Sequence, residues 1–400
     1  MLTDTEAVNR WEALFAPADI DQTFRTFWRD WSSVTVSRSG PVLPLATGER
    51  IALPEVFRVG RRTLGTSDHL RVMRMSGLAV LHKGRLVHEA YGQGRGAEDV
   101  AILWSVSKAI TALLLGIAHG EGAIPDFNVA VTDYVPELLG TGYDGVTVQQ
   151  VMDMLSGIRW REVYDDPSSE VVRSVTSFQT GSQDDFAREM VNQRPPGSFN
   201  QYASIETHVL GWVLRRATGE RITDYLSSRL WSRLGVEGDM HILTDQSGEP
   251  VVFGGMFMRL RDLARIGQMV MDRGRALDGT QIVPETWLSR MAVPDLHPLM
   301  PGVGPPHAES TYGYKNQWWI PMRPDRGDFC AIGIYGQFLY VNPARQVVIA
   351  MNGAYPEYTQ DGPMRTLETL CLFQTLARQL SPQQLPRRMR RDLFLKKCRR

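Results

Sequence analysis

Residues 103–108, Leu103-Trp104-Ser105-Val106-Ser107-Lys108, open an apolar run that continues to Ala118. Ser105 and Lys108 are three positions apart, so a helix places both side chains on one face. A helix that is apolar on all sides is a buried one. A buried ammonium is costly unless it is paired, and its usual escape is a lowered pKa, which lysine can reach near neutral pH and arginine cannot. The stretch therefore predicts a buried helix with a serine nucleophile at its start and a lysine base one turn later.

Lysine is rare in this chain, which makes a lysine in an apolar run informative. The sequence has five lysines against thirty-nine arginines, and only Lys83, Lys108 and Lys315 precede the last few residues. A Ser-x-x-Lys spacing is nevertheless short, and an ordinary helix start with a snorkelling lysine is the alternative. The pair needs support from other parts of the chain.

The overall charge balance conceals a basic C-terminus. The 400 residues carry 44 basic and 44 acidic side chains, but residues 387–400 hold eight of the basic residues and one acid, so the remaining body has a charge of −7. Such a tail (385–400) can bind nucleic acid or an acidic membrane, but a solvated terminus is the simpler interpretation. We expect no nucleic-acid partner and no membrane partner.

Cysteine usage and the N-terminus indicate a cytoplasmic, soluble protein. The three cysteines, Cys330, Cys371 and Cys398, are an odd number with no metal-ligand spacing, which favours a reducing compartment and no metal site. The acidic N-terminus lacks the pattern of a signal peptide, and no apolar stretch reaches the roughly eighteen residues that a membrane span needs.

Strand patterns lie at both ends of the chain and helical patterns between them. A hairpin is predicted over 76–92, and further strands over 317–320, 329–333 and 337–351, the last bent at 342–345. Helical patterns are predicted over 6–15, 186–191, 204–217, 222–234, 259–271, 284–291 and 363–380. The fold class is therefore α/β (α+β): one antiparallel sheet assembled from both termini and flanked by helices, with an all-helical domain inserted. The predicted units are an N-terminal arm (1–54) without catalytic residues, a first α/β part (55–118), a helical domain (119–255), a second α/β part (256–384) and the basic tail.

Several common catalytic and cofactor motifs are absent from the sequence. It contains no G-x-S-x-G elbow, no H-E-x-x-H and no P-loop. Gly92 to Ala97 satisfies a G-x-G-x-x-A pattern, but Glu98 and Asp99 follow at once and would repel a pyrophosphate. We expect a flexible loop there and no cofactor.

Several stretches resemble the serine β-lactamase/penicillin-binding-protein superfamily, and within it the class C-like esterases and 6-aminohexanoate-dimer hydrolases. The similarity runs from about Gly77 to Met351. The matching stretches are 105–109 (Ser-Val-Ser-Lys-Ala), 122–126, 134–138, 146–157 with its D-M-x-S-G, 201–204 (Gln-Tyr-Ala-Ser) and 255–267. The resemblance implies a β-lactamase-like fold and an acyl-enzyme formed on Ser105.

The resemblance also implies roles for individual residues. Lys108 accepts the serine proton, and Tyr202 shares that role or protonates the leaving group if a neighbouring lysine charge lowers its pKa. The oxyanion donors are the backbone N–H groups of Ser105 and Gln337. Tyr164 resembles a tyrosine placed against the leaving amine, with a plain loop residue as the alternative.

The family's third motif, K-T-G or H-x-G, departs from the pattern here. The matching place reads Gly333-Ile334-Tyr335-Gly336-Gln337, where Ile334 replaces the cation and Tyr335 and Gly336 flank the substrate. Losing a charged hydrogen bond to a substrate carboxylate costs about 1.5–3 kcal/mol, a ten- to hundredfold loss of binding. β-Lactam hydrolysis is therefore disfavoured. Trp318 and Trp319 are expected to be core and wall residues.

The sequence thus predicts a serine hydrolase that acts on a small-molecule ester or linear amide. Two alternatives remain open: an acyltransferase that uses the same acyl-enzyme, and a binding protein of this fold with little turnover. Substrate specificity is expected in loops such as 160–185 and 294–312, and the sequence does not determine the oligomeric state.

Overall fold

The computed structural model describes residues 2–303 and 312–381, so the predicted basic tail lies outside the described residues. The strands are β1 (Ser33–Val36), β2 (Ala46–Thr47), β3 (Val56–Val59), β4 (Arg62–Gly65), β5 (Gly77–His82), β6 (Arg85–Tyr91), β7 (Val100–Ile102), β8 (Met240–Leu243), β9 (Met256–Arg259), β10 (Gly313–Lys315), β11 (Trp318–Ile320), β12 (Phe329–Gly333), β13 (Gln337–Asn342) and β14 (Val347–Asn352). The α-helices are α1 (Asp4–Ala13), α2 (Ile20–Thr26), α3 (Thr66–Val72), α4 (Val106–Gly120), α5 (Val131–Tyr134), α6 (Val148–Met152), α7 (Glu170–Thr180), α8 (Gln183–Arg188), α9 (Ser204–Thr218), α10 (Ile222–Arg229), α11 (Leu260–Met271), α12 (Glu285–Met291) and α13 (Tyr358–Leu380).

The main sheet joins the two ends of the chain, as the order of strand and helix patterns predicts. Its strand order is β10-β11-β12-β13-β14-β5-β6-β2, and every pair is antiparallel except β2 with β6. The first strand of the predicted hairpin, β5, pairs along its whole length with β14, from Gly77 opposite Asn352 to His82 opposite Val347.

The central strands are buried on both faces, and alternate residues pack on different layers. Leu78 and Val80 of β5 belong to the core that includes Phe373 of α13. Their neighbours Ala79 and Leu81 belong to the core that includes α4 and α11. The sheet is therefore the middle layer between α13 on one side and α4 with α11 on the other.

Most predicted helices and strands are present, but the structure differs from the prediction in several places. Helix α7 and the two-stranded sheet of β3 and β4 were not predicted, and strand β8 lies within the predicted all-helical domain. The helical pattern over 222–234 is interrupted, because α10 ends at Arg229 and a short 3-10 helix follows at Trp231–Arg233. A second sheet, with strand order β1-β8-β9-β7, was not predicted. Its strands have three or four residues each, too few for the alternation of apolar and polar positions to stand out.

The N-terminal arm is part of both sheets. Strand β1 pairs with β8, from Ser33 opposite Leu243 to Val36 opposite Met240, and β2 pairs with β6. Helix α1 packs on α7. The boundaries of the predicted units stay predictions, but the arm is bound to the body by strand pairing as well as by side-chain packing.

Candidate active site

Ser105 lies where β7 turns into α4. The backbone N–H of Leu103 donates to the Met256 carbonyl at 2.8 Å, which holds this end of the chain to β9. Trp104 then adopts a left-handed φ of 45°, which is uncommon for a residue with a bulky side chain. Ser105 follows as the N-cap residue of α4, at the positive end of the helix dipole.

Lys108 is buried one turn later and is 1% exposed. Its Nζ donates to Ser105 Oγ at 2.8 Å, to Ser204 Oγ at 3.1 Å and to the Phe253 carbonyl at 2.8 Å. Burial lowers the Lys108 pKa to about 7, and the nearby Glu162 charge opposes that shift. Near neutral pH a substantial fraction of Lys108 is therefore uncharged and able to accept a proton.

Lys315 is a second buried lysine, and it differs from Lys108 in its partners. Its ammonium donates to Asp153 Oδ2 at 2.8 Å and to Asp295 Oδ1 at 2.7 Å. Within residues 2–303 and 312–381, no acidic oxygen lies within ion-pair distance of Lys108. The structure thus gives Lys315 a structural role and leaves Lys108 available for proton transfer.

Glu162 completes the site, and sequence reasoning missed it. Its carboxylate accepts hydrogen bonds from the Ser204 hydroxyl, the Ser204 backbone N–H at 3.2 Å, Tyr164 Oη at 2.7 Å and the indole N–H of Trp160. A single carboxylate in a loop has no periodicity or motif that would reveal it. Through Ser204, Glu162 is connected to Lys108 and so to the nucleophile.

Tyr202 lies beside the pair, but its pKa moves in the direction opposite to the one predicted. Its ring centroid is 4.9 Å from Lys108 Nζ, and the ring stacks on Trp319 at 5.0 Å. Burial raises the Tyr202 pKa well above 10, the Glu162 charge raises it further, and the contact with the Ser105 hydroxyl lowers it only in part. Tyr202 therefore carries its proton at neutral pH and is able to donate a hydrogen bond.

Two cavities open on Ser105. The larger, about 200 Å³, is lined by Tyr202, Trp319, Tyr312 and Ile332 and by Tyr358 of α13. The smaller, about 40 Å³, is lined mainly by apolar side chains. Ser105, Tyr164 and Ile334 line both cavities.

Tyr164 and Trp319 are both cavity-wall residues. Tyr164 is on the wall of both cavities, and burial and Glu162 raise its pKa well above 10, so its hydroxyl is protonated. Trp319 is a wall residue of the larger cavity, whereas Trp318 is fully buried in the core. Residues of the segment 160–185 line both cavities, among them Glu162, Tyr164 and Phe178, and its role in specificity stays a prediction. Positions 304–311 of the second loop lie outside the described residues.

The structure does not bring Tyr335, Gly336 and Gln337 to the cavity walls. Gln337 begins β13 opposite Gly333, and its side chain is buried against the Gly353 carbonyl at 2.6 Å. Tyr335 stacks on Phe15 of the arm at 4.5 Å, and a Cβ on Gly336 would meet Met73. These three residues thus contact parts of the chain that lie outside the two cavity walls.

Ile334 lines both cavities together with Ser105, whereas Gln337 lines neither. A Cβ on Gly333 would lie 2.4 Å from the Leu103 carbonyl and 3.2 Å from Trp104 Cβ, so only glycine allows this close approach of β12 to the nucleophile. In the part of the chain that the structure describes, the backbone N–H groups of Ser105 and Ile334 have no acceptor. Two free N–H groups on one cavity form a candidate oxyanion hole.

No Lys, Arg or His side chain is among the described residues that line either cavity. The described cavity walls therefore offer no cation to a substrate carboxylate, and poor β-lactam binding stays a prediction. The described ranges also contain no group of three His, Cys, Asp or Glu side chains that could hold a metal ion. None of their helices is long and apolar enough to cross a bilayer.

Comparisons of the sequence with known proteins show similarity over most of the chain. The family model described as beta-lactamase matches residues 68–370. The 6-aminohexanoate-dimer hydrolase of Paenarthrobacter ureafaciens is 35% identical over 285 residues, which cover 70% of this chain and 72% of that protein.

Two solved structures show the same fold. A provisionally assigned 6-aminohexanoate-dimer hydrolase from Bacillus anthracis is 23% identical with a TM-score of 0.82, covering 92% of this chain and 97% of that one. A family VIII carboxylesterase is 17% identical with a TM-score of 0.56, covering 72% and 91%.

Proposed function

Since the chain belongs to the β-lactamase family and is a hydrolase of that fold, we propose that it opens esters or small linear amides through an acyl-Ser105 intermediate. The observation that carries the proposal is the 2.8 Å hydrogen bond between Ser105 Oγ and a Lys108 whose pKa burial lowers to about 7. Acyl transfer needs a nucleophile that is hydrogen-bonded to a base, and the base must be partly neutral at the working pH.

In the first step, the Ser105 hydroxyl gives its proton to neutral Lys108 as Oγ bonds to the substrate carbonyl carbon. The carbonyl oxygen becomes an oxyanion, and the Ser105 and Ile334 N–H groups are the donors we assign to it. The positive end of α4 favours the same negative charge. Assigning Ile334 in place of Gln337 rests on its position in both cavity walls.

In the second step, the bond to the leaving nitrogen or oxygen breaks. Tyr202, which keeps its proton at neutral pH, donates to the leaving atom and recovers a proton from the Lys108 ammonium. Lys108 is then neutral again and can activate the water that releases the acid from Ser105. Glu162 and Ser204 are positioning residues in this scheme, because they fix Lys108 without touching the reacting atoms.

An active-site serine probe with mass-spectrometric mapping tests the proposal. We expect labelling of Ser105 in the wild-type protein and in a Ser107→Ala variant, since the Ser107 hydroxyl only accepts the Met256 N–H at 3.3 Å. Ser105→Ala should abolish labelling and turnover. Labelling at another residue, or a Ser105→Ala variant with undiminished esterase activity, would contradict the mechanism.

The same assay separates hydrolysis from the two alternatives. p-Nitrophenyl esters and the 6-aminohexanoate dimer are offered with and without an added amine. Free acid as the sole product supports hydrolysis, an amide formed with the added amine supports acyl transfer, and labelling without turnover of any substrate supports a binding protein.

A further inference from the structure

The smaller cavity on Ser105 is closed by the N-terminal arm, a segment in which the sequence predicts no catalytic residues. Trp11 of α1 lines that cavity together with Trp104, Phe178 and Phe253. Four arm aromatics, Trp11, Phe15, Phe24 and Phe27, have ring centroids between 5.4 and 5.9 Å from that of Trp104. The residue before the nucleophile is thus surrounded by the arm.

The two cavities divide the substrate at its carbonyl group. Ser105 and Ile334 line both cavities, so the reacting carbonyl lies where they meet. Tyr202, the donor to the leaving atom, lines only the larger cavity. The leaving group therefore enters the larger cavity, and the acyl chain enters the smaller one.

The smaller cavity is suited to a short, uncharged chain. Its described lining contains no charged side chain. The polar groups of the lining are the hydroxyls of Ser105, Tyr164 and Ser204, and each is hydrogen-bonded to Lys108 or Glu162. An ion inside it would have no partner and would lose its hydration. A volume of about 40 Å³ leaves room for only a few carbon atoms.

We propose that this cavity is an acyl pocket for short apolar acyl groups and that Trp11 of the arm sets the length it accepts. The inference rests on the proposed acyl-Ser105 mechanism. It assigns a specificity role to a segment more than ninety residues before the nucleophile in the sequence. It also predicts that acetyl to butyryl esters are better substrates than esters whose acyl chain ends in an ammonium group.

The test is a p-nitrophenyl ester series from acetate to octanoate, with kcat/KM measured for the wild-type protein and for Trp11→Ala. Each methylene buried is worth about a three- to fourfold change in binding. We expect the octanoate-to-acetate ratio of kcat/KM to rise at least tenfold in Trp11→Ala. Trp28→Ala is the matched control, because Trp28 belongs to the same arm but stacks on His241, away from the cavity.

A second variant changes a wall residue that lies outside the arm, so this test does not depend on the arm remaining folded. Gly254 lines the smaller cavity, and among the described residues a Cβ there would have one heavy atom within 4 Å, the Trp104 carbonyl carbon at 3.9 Å. Gly254→Ala should therefore fold normally and lower the butyrate-to-acetate ratio severalfold. In a second series the acyl group is acetyl and the alcohol varies. The ratios of kcat/KM between these alcohols should be the same in both variants as in the wild-type protein.

Unchanged acyl ratios in Trp11→Ala and Gly254→Ala, or an equal shift in Trp28→Ala, would overturn the assignment. A shift in the alcohol series in place of the acyl series would show that the two cavities have been assigned in reverse. These outcomes leave Ser105 labelling intact. Absence of both labelling and ester turnover in the wild-type protein would instead overturn the proposed function on which the inference rests.

Discussion

Replacing Glu162 with Gln should move the acid limb of the pH–activity profile to lower pH. The Glu162 charge stabilises the Lys108 ammonium, whose pKa burial lowers to about 7. Without that charge the ammonium is less stable, so the Lys108 pKa falls and the neutral base persists at lower pH. Glutamine keeps an oxygen that can accept from the Ser204 hydroxyl, so the variant changes charge more than shape.

The structure sets the size of this shift. Lys108 Nζ lies 3.1 Å from Ser204 Oγ, and that hydroxyl donates to Glu162, so the two charges are within about 6 Å of each other. At that separation and an effective dielectric constant of about 20, the interaction is about 3 kcal/mol, or about 2 pH units. Since a polarisable hydroxyl lies between the charges, we expect a shift of about 1–2 units.

The assay is kcat/KM for a p-nitrophenyl ester between pH 4.5 and 9, because that parameter reports the ionisation of the free enzyme. The wild-type profile should rise through about pH 7, and the Glu162→Gln profile through about pH 5–6. Glu189→Gln is the control, since the Glu189 side chain is 55% exposed and pairs with Arg173. An acid limb that stays in place or moves to higher pH would refute the electrostatic role of Glu162, whatever happens to the maximum rate.

Three further predictions concern other parts of the site. Tyr202→Phe should lower kcat for an amide by about 10²–10³-fold but for a p-nitrophenyl ester much less, because p-nitrophenolate leaves without a proton; equal losses would contradict its role as a proton donor. Lys108→Met should be inactive, but its free energy of unfolding in urea at pH 7 should be about 2 kcal/mol higher than that of the wild-type protein. Lysine keeps its proton up to about pH 10.5 in the unfolded chain but loses it near pH 7 in the folded one, so the wild-type protein loses stability as the pH falls from 10.5 to 7. The stability gain of the variant should therefore shrink toward pH 10. Nitrocefin should be cleaved at least a hundredfold less efficiently than p-nitrophenyl acetate, because no described cation lines the cavities. For the same reason the KM for nitrocefin should not change with salt concentration. A KM that rises steeply with salt would show that a cation binds the nitrocefin carboxylate.

Local patterns determined the parts of the fold that depend on neighbouring residues. The run from Val106 to Ala118 predicts α4 and its burial, because thirteen consecutive residues are buried on every face of that helix. The same run predicts a lysine with a lowered pKa, since desolvation is a consequence of burial alone. The hairpin of β5 and β6, and the return of the chain to the same sheet, follow from strand patterns at the two ends.

Only the tertiary structure decided which distant residues meet Ser105. Glu162 reaches Lys108 through Ser204 across a loop, and Trp11 lines a cavity on Ser105 from more than ninety positions away in the chain. Ile334 lies beside Ser105 in both cavity walls, because β12 approaches Trp104 closely at Gly333. The upward shift of the Tyr202 pKa was also decided by the tertiary structure. It depends on burial and on the Glu162 charge, and the Gln201–Ser204 motif contains neither. Periodicity and spacing report contacts within one element, whereas the chemistry of this site depends on strand register and loop placement, which the folded chain alone establishes.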